Sequence, residues 1–571
     1  MVNIPLTGST GFRSNFVRLF LLYIAIVVLI ALRKPDAFLN PQPWAEDGTT
    51  FIQQALSYGI LSLAIPYQGY LHLIPRIVTL VALPFGLPNA PFAMNLFALL
   101  LSALSVWYLC LRRFRVIVKN DLTRYMLSFL IAAIPVHEIF MTITNVQWFL
   151  SLFLTLWTVD QWINYRSISE RTPVVVVLEA MFAAFAFLTA ILGILLLPII
   201  ALVFVRRIRD GTLLSHNASW ILVPFGSVLL DLSVFSAFFF SHPATGIIYP
   251  LGGWYSVAKL SVLHVVLALL IPISIANSLV TASGLISLGL SAILLLSTIL
   301  LIYTVLKNKD GLGFVLLALI GLDLVLTAVF RPNWMFSPIG FGERFLFYPM
   351  CLLVLFLVRV GESHGVRRGK FLIGVILVVL TFNAALHYQI PPYADLKWGA
   401  FSNEYNANGT GFVVAPINPV CSMPSLPCWN LTIPVDPQLT ASKLKLLTQV
   451  NGGEGGLYYL NGGITSPGQI YNVTSDTGPF INVVGWAIDQ GTGNPAKGVF
   501  LVIDGNLAFP TAYGLGPPEF QYGPSTQPAQ TDWWTIISTQ GLSPGTHIIS
   551  IWVIADDGLH YYSIQIATLM K

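Results

Sequence analysis

Three stretches of this chain hold residues whose types could do chemistry together. "NPQPWAEDGTTF" (40–51) sets Glu46 beside Asp47, and "LHLIPR" (71–76) follows with His72 and Arg76. "IPVHEIFMTITNVQWFL" (134–150) carries His137, Glu138, Asn145 and Gln147. "FRPNWMFSPIGFGERFLFYP" (330–349) carries Arg331, Glu343 and Arg344. A carboxylate can act as general base on an acceptor hydroxyl. Arginines can hold a phosphate through bidentate, charge-assisted hydrogen bonds. Tryptophan and tyrosine faces can stack on a sugar ring or anchor a helix at lipid headgroups. A substrate with a lipid tail, a phosphate and a sugar needs all of these groups at one depth. Each stretch also has a plainer reading. Asp47 ahead of "GTTFIQQAL" is a good helix N-cap. Arg76 can snorkel to headgroups. Asn145 and Gln147 can cap and anchor the next segment, and His137–Glu138 and Glu343–Arg344 can be local polar pairs.

The elements that must position these residues follow from composition. The chain has 571 residues, 55% hydrophobic and 9% charged, against about 25% charged in soluble domains. It reads as a polytopic integral membrane protein. Its net charge of +4 does not argue for nucleic acid, because basic residues in such a chain mostly set orientation. Residues 1–390 are a succession of apolar runs. Residues 391–571 are rich in Gly, Pro, Asn, Thr and aromatics, with no run long enough to cross ~30 Å of hydrocarbon. The first run, "FVRLFLLYIAIVVLIAL", lacks a small-residue cleavage site after it and reads as a retained transmembrane helix.

Candidate spans are 16–33, 91–111, 124–141, 145–163, 173–189, 191–205, 219–240, one or more within 256–306, 312–330, 345–360 and 371–388, about eleven in all. "RRFRVIVK" (112–119), "RRIRD" (206–210), "KNK" (307–309) and "RRGK" (367–370) should be cytoplasmic by the positive-inside rule. That orientation puts residues 391–571 on the extracytoplasmic side of a plasma (inner) membrane. Residues 71–85 contain His72, Pro75, Arg76 and Pro84, a poor span, and read as an interfacial helix within a long first outer loop, 34–90. All three chemistry-bearing stretches then fall at outward ends of spans. Ionisable groups at mid-bilayer cost about 2.5–3.5 kcal/mol each on insertion scales, so they carry information. Glu179, Asp231 and Asp323 lie within spans and read as interhelical hydrogen-bonding acids rather than a transport relay.

The carboxy-terminal region reads as an all-β sandwich. "INVVGWAID", "GVFLVIDG", "DWWTIIST", "THIISIWVIADDG" and "HYYSIQIATL" are β-branched and aromatic runs separated by turn residues. The aromatics of "WWTI", "GWAID" and "HYY" fit core packing first and sugar binding second. Cys110 and Cys351 fall in apolar runs. Cys421 and Cys428 form a plausible disulfide if the region is extracytoplasmic. Asn408, Asn430 and Asn472 stand in glycosylation sequons.

A long first outer loop bearing an acidic pair, followed by interfacial helices and many spans, resembles the GT-C superfamily of membrane glycosyltransferases. The strings "WAEDG", "PYQGYLHLIPR", "HEIFMTITNVQWFL" and "GERFLFYP" also resemble an uncharacterised bacterial group of that kind, over residues 16–390. The resemblance implies inverting transfer of a sugar from a polyprenyl-phosphate donor to a glycan, lipid or protein acceptor. It implies Asp47 or Glu46 as base. It makes Arg76 and Arg344 phosphate ligands, with His72 and Arg331 behind them. His137, Glu138, Asn145 and Gln147 would shape the sugar or acceptor site. The first loop has no Asp-x-Asp spacing, so a metal cofactor is not expected. Two other classes fit the same composition. One is a transporter or flippase of a lipid-linked glycan, which predicts discontinuous helices and internal pseudo-symmetry; no two-half repeat is evident. The other is a membrane anchor displaying a glycan-binding β module.

Overall fold

A computed structural model describes residues 9–571 except 166, 214–216, 218, 242–264, 273, 277, 279–295, 297, 331–342, 364–365, 420–428, 461–462, 465–469, 473–479, 516–529 and 540. The amino-terminal part is helical. Its principal helices are α1 (Ser9–Arg33), α2 (Leu73–Ala82), α3 (Ala90–Trp107), α4 (Asp121–Ala132), α5 (Val146–Ile163), α6 (Pro173–Phe187), α7 (Leu197–Arg209), α8 (Leu222–Ser241), α9 (Gly311–Phe330), α10 (Arg344–Ser363) and α11 (Val366–Leu386). Among the described residues, six helical segments are long and apolar enough to cross a membrane: Asn15–Arg33, Leu87–Cys110, Ile191–Arg209, Ser219–Ser241, Arg344–Glu362 and Arg367–Leu386. Most of 256–306 and the pair Cys421/Cys428 lie outside the described residues.

The run 124–141 is helical only to Ala132, as the end of α4. Ile134 precedes Pro135, whose ring disfavours helical backbone in the residue before it, and 133–145 continues as a non-helical link. Asn120 starts α4, its Oδ1 accepting from the Thr123 N–H at 3.0 Å. The run 71–85 forms α2 of ten residues, about 15 Å long at 1.5 Å per residue and too short to cross ~30 Å.

The chain divides into two compact units. The first comprises Met1–Pro35, Leu63–Val78 and Asn95–Pro391; the second comprises Asp36–Ser62, Thr79–Met94 and Pro392–Lys571.

In the first unit α5 is the central helix, with every side chain from Val146 to Gln161 buried. A helix hydrophobic on all sides belongs in a core. Two polar side chains of α5 are satisfied within it: Ser151 Oγ donates to the Gln147 carbonyl and Thr155 Oγ1 to the Ser151 carbonyl, each at 2.9 Å. Thr155 Oγ1 also lies 2.7 Å from the Tyr348 hydroxyl of α10. At its far end Asp160, fully buried, accepts both terminal nitrogens of Arg171 at 2.6 and 2.8 Å. Arg113 completes the knot, 3.4 Å from Asp160 and paired with Glu179 of α6. These pairs tie the 112–119 segment, α5 and α6 together. They also give Glu179 two arginine partners, Arg113 and Arg171, from the connecting segments.

In the second unit the strands are β1 (Gly411–Pro416), β2 (Asn430–Val435), β3 (Thr448–Val450), β4 (Glu454–Leu460), β5 (Gly463–Ile464), β6 (Ile470–Asn472), β7 (Phe480–Ile488), β8 (Gly498–Ile503), β9 (Leu507–Pro510), β10 (Ala512–Leu515), β11 (Asp532–Ser538), β12 (Thr546–Ile554) and β13 (His560–Met570). One sheet runs β2-β1-β11-β7-β4-β5 with β10 also on β11; the other runs β3-β13-β12-β8-β9 with β6 also on β13. The sheets face each other: a Cβ on Gly455 would stand 2.7 Å from Ile551 Cδ1. Tyr513 of β10 ties β7 to the segment that leads into β8, its hydroxyl donating to the Ala487 carbonyl and accepting from the Ala496 N–H. A helix, Pro437–Leu444, covers the outer face of the second sheet, where Ala441 and Leu444 pack with Val502, Ala508, Trp552, Ile554 and Tyr561. Asp436 starts that helix, its Oδ1 accepting from the Leu439 N–H at 3.0 Å.

Candidate functional site

The non-helical link 133–145 and the start of α10 bring two of the three stretches together within the first unit. The main-chain N–H of His137 donates to Glu343 Oε2 at 2.7 Å. The next residue along, Glu138, is ion-paired with Arg344 at 3.0 Å. Asn145 holds the link in shape, its Nδ2 donating to the Glu138 carbonyl at 3.1 Å and to Thr142 Oγ1 at 2.9 Å. Its Oδ1 accepts from the Trp148 indole at 3.2 Å. Trp148 stands edge-on to Phe345, whose ring lies under the Arg344 guanidinium, so the cation rests on an aromatic shelf. The link carries a strained residue, Met141 at φ 61°. A non-glycine residue there costs of order 1–3 kcal/mol and persists where the surroundings over-determine it.

Gln147 connects this cluster to the 63–78 segment. Its Oε1 accepts from the Tyr70 hydroxyl at 2.9 Å. Tyr70 stacks on His72 with centroids 3.8 Å apart. His72 is itself left-handed, at φ 52°, and buried. Burial, with the Arg76 charge beside it, pushes its imidazole down to about 3. His72 is therefore neutral near pH 7 and supplies a ring face rather than a cation. Arg76 is buried, with Nε donating to the Leu71 carbonyl at 2.8 Å.

Glu343 is the carboxyl with the most consequential environment. Burial pushes it up to about 7, and the Glu138 charge pushes the same way against the His137 N–H and Arg33. It thus sits near neutrality beside the cation at the amino end of a 20-residue helix. The sum of helix N–H groups and Arg344 favours an anion there, and a carboxyl titrating near 7 can exchange a proton with a hydroxyl.

Glu46 and Asp47 belong to the second unit. Glu46 occupies the N-cap position of the helical turn Asp47–Ile52 but makes no side-chain capping hydrogen bond. Its Oε2 is buried and accepts no hydrogen bond among the described residues. Asp47 is buried, and its N–H donates to the Trp44 carbonyl at 2.7 Å. The turn is seated against β2, where Gln53 accepts from the Thr432 N–H at 2.8 Å. Arg331 lies outside the described residues.

Two contributors were missed from sequence, Tyr70 and Arg33. Arg33 is buried, donates to the Ala132 carbonyl at 2.9 Å and lies 4.0 Å over the Phe140 ring. The available signal was the pair Arg33-Lys34 at the end of the first span opposite the arginine-rich segments. Among the described residues no group of three His, Cys, Asp or Glu side chains is placed to hold a metal ion. No protein-family model matches the chain, and no curated protein matches its sequence.

Proposed function

We propose that this chain is a membrane glycosyltransferase that moves a sugar from a polyprenyl-phosphate donor to a glycan, lipid or protein acceptor. In this reading about eleven segments cross a plasma (inner) membrane, and residues 391–571 are extracytoplasmic. One observation carries it: a carboxyl raised to about 7, Glu343, stands next in sequence to a partly exposed arginine on an aromatic shelf at a helix amino terminus. Arg344 and the first N–H groups of α10 hold the donor phosphate and stabilise it as it leaves. Glu343, once ionised, takes the proton from the acceptor hydroxyl. Glu138 orients Arg344. Asn145 fixes the link that carries Glu138, and Gln147, through Tyr70, fixes His72, so these residues position rather than react.

The first-loop acids supply the competing assignment of the base. Glu46 is favoured over Asp47 there, because its Oε2 is buried without a hydrogen bond among the described residues. Three variants decide between the assignments. Lipid-linked and finished glycans are compared in a deletion strain complemented with wild type, E343Q, E46Q or D47N. Accumulated donor in the E343Q strain supports Glu343. Accumulation only in E46Q or D47N moves the base to the first loop. Wild-type glycans from all three well-expressed variants overturn the transferase reading.

A further inference from the structure

The carboxy-terminal tryptophans do not share one role. Trp533 and Trp534 are fully buried in β11. They project to opposite faces of their sheet, and Trp534 meets Phe401 of the short helix Trp398–Ser402 on its face. Trp486 of β7 is only half-buried. It sits in one cross-strand row with Gly456 of β4 and Asp532 of β11 as its direct partners. On the glycine side there is no side chain to prop the indole up. A Cβ on Gly456 would stand 3.1 Å from the Trp486 Nε1 and 3.7 Å from Cε2. The indole therefore packs over the glycine and stays partly exposed. On the opposite side Asp532, also half-buried, accepts from the Tyr458 hydroxyl through Oδ1 at 3.3 Å. Its Oδ2 takes no hydrogen bond among the described residues. Directly opposed residues in an antiparallel pair have Cβ atoms about 4.5–5.5 Å apart, so the carboxylate borders the indole.

We propose that Trp486, Tyr458 and Asp532 form a carbohydrate-binding platform that takes a pyranose ring of a glycan chain. A pyranose has an apolar face of C–H groups and a rim of hydroxyls. The flat indole matches the first by area burial and polarised contact with its π-face. The carboxylate, with an oxygen unbonded among the described residues and a neighbouring phenol, matches the second, since hydrogen bonds to an ionised acceptor are about twice as strong as neutral ones. A core role for Trp486 would bury it fully, as it does Trp533 and Trp534. A protein partner would call for a wider apolar patch; here one ring is bordered by a carboxylate. The site lies wholly within the second unit and stands independently of the transfer chemistry.

The test is saturation-transfer difference NMR on the full-length protein in detergent micelles. The probes are maltotriose, cellotriose, chitotriose and α-1,6-mannotriose at millimolar concentration. The expected result is saturation of ring C–H protons for at least one of the four. W486A and G456V should each weaken that binding about tenfold or more, a loss near 1.4 kcal/mol. W486F should retain most of it, and D532N should weaken it while keeping the stacking signal. G456V alters only the posture of the indole, so it decides the matter if W486A fails to fold. No saturation transfer to any of the four, or G456V and D532N binding as wild type, overturns the proposal. E343Q should bind the probes as wild type does, so this site and the transfer site fail separately.

Discussion

The main-chain N–H of His137 reaches Glu343 Oε2 at 2.7 Å across 206 residues of chain. With the Glu138–Arg344 pair one position further on, it makes a two-point clasp between the 133–145 link and the start of α10. The clasp places an acid and a cation side by side while burying the acid.

That arrangement predicts a pH profile. A base must be ionised, and burial holds the Glu343 proton up to about 7. Transfer should therefore be low at pH 6 and rise through about pH 7. E343Q keeps an acceptor for the His137 N–H but removes the base. It should cut the turnover about 100-fold or more and flatten the profile, with a thermal midpoint close to wild type. A steep profile retained in E343Q assigns the titration elsewhere.

Arg344 tests the phosphate role separately. Its pair with Glu138 is partly exposed, and such pairs contribute about 1 kcal/mol or less to stability. R344Q should leave unfolding nearly unchanged but raise the KM for the lipid-phosphate donor about tenfold or more, one lost charge-assisted contact. An unchanged KM removes Arg344 from the donor site.

Asp160 is expected to matter for stability and not for chemistry. It lies fully buried between Arg171 and Arg113, and removing it leaves Glu179 alone to compensate two largely buried guanidinium groups. D160A should destabilise the protein by about 3–5 kcal/mol, read as a large fall in the thermal midpoint in micelles. D160N, which keeps hydrogen-bond acceptance, should lose less.

In the second unit, His547 Nδ1 is 2.6 Å from Asp504 Oδ2 and its Nε2 is 2.8 Å from the Ser543 carbonyl. The Asp504 contact, then the carbonyl, raise the imidazole above its ordinary value. A pKa raised on folding stabilises while the group is protonated. The gain is full below about pH 6.5, the unfolded value, and is lost as pH rises through the folded value. Amide exchange along β12, corrected for intrinsic rates, should show its protection falling from pH 6 to pH 8. H547Q should remove that slope; a slope of equal size in H547Q refutes the assignment.

The helical, membrane-type amino-terminal part and the β-sheet carboxy-terminal part were legible because both rest on local patterns. Apolar runs of helical length and alternating β-branched strands are written within ten to twenty neighbouring residues. Helix lengths were less legible. The run 124–141 is apolar throughout, and hydropathy alone does not register that Pro135 disfavours helix at Ile134. Residues 71–85 were readable as a non-spanning helix because their prolines and charges are themselves local.

For the candidate site, residue types were legible and partnership was not. His137, Glu138, Glu343 and Arg344 announce themselves because charges are scarce in an apolar chain. That they meet in one clasp depends on how α5 and α10 pack, a long-range outcome no local window contains. The raised Glu343 carboxyl follows from the same burial. Trp486 and Trp533 look alike in sequence, each an aromatic in a β-branched run. Their difference arises because Trp533 projects into a filled layer, while Trp486 shares a row with a glycine over which its ring packs. Sequence by itself determined which chemistry the chain carries and which class of element holds each piece. Tertiary structure alone decided which pieces touch and which faces stay open, because burial and partnership are set by the sum of packing over the whole fold.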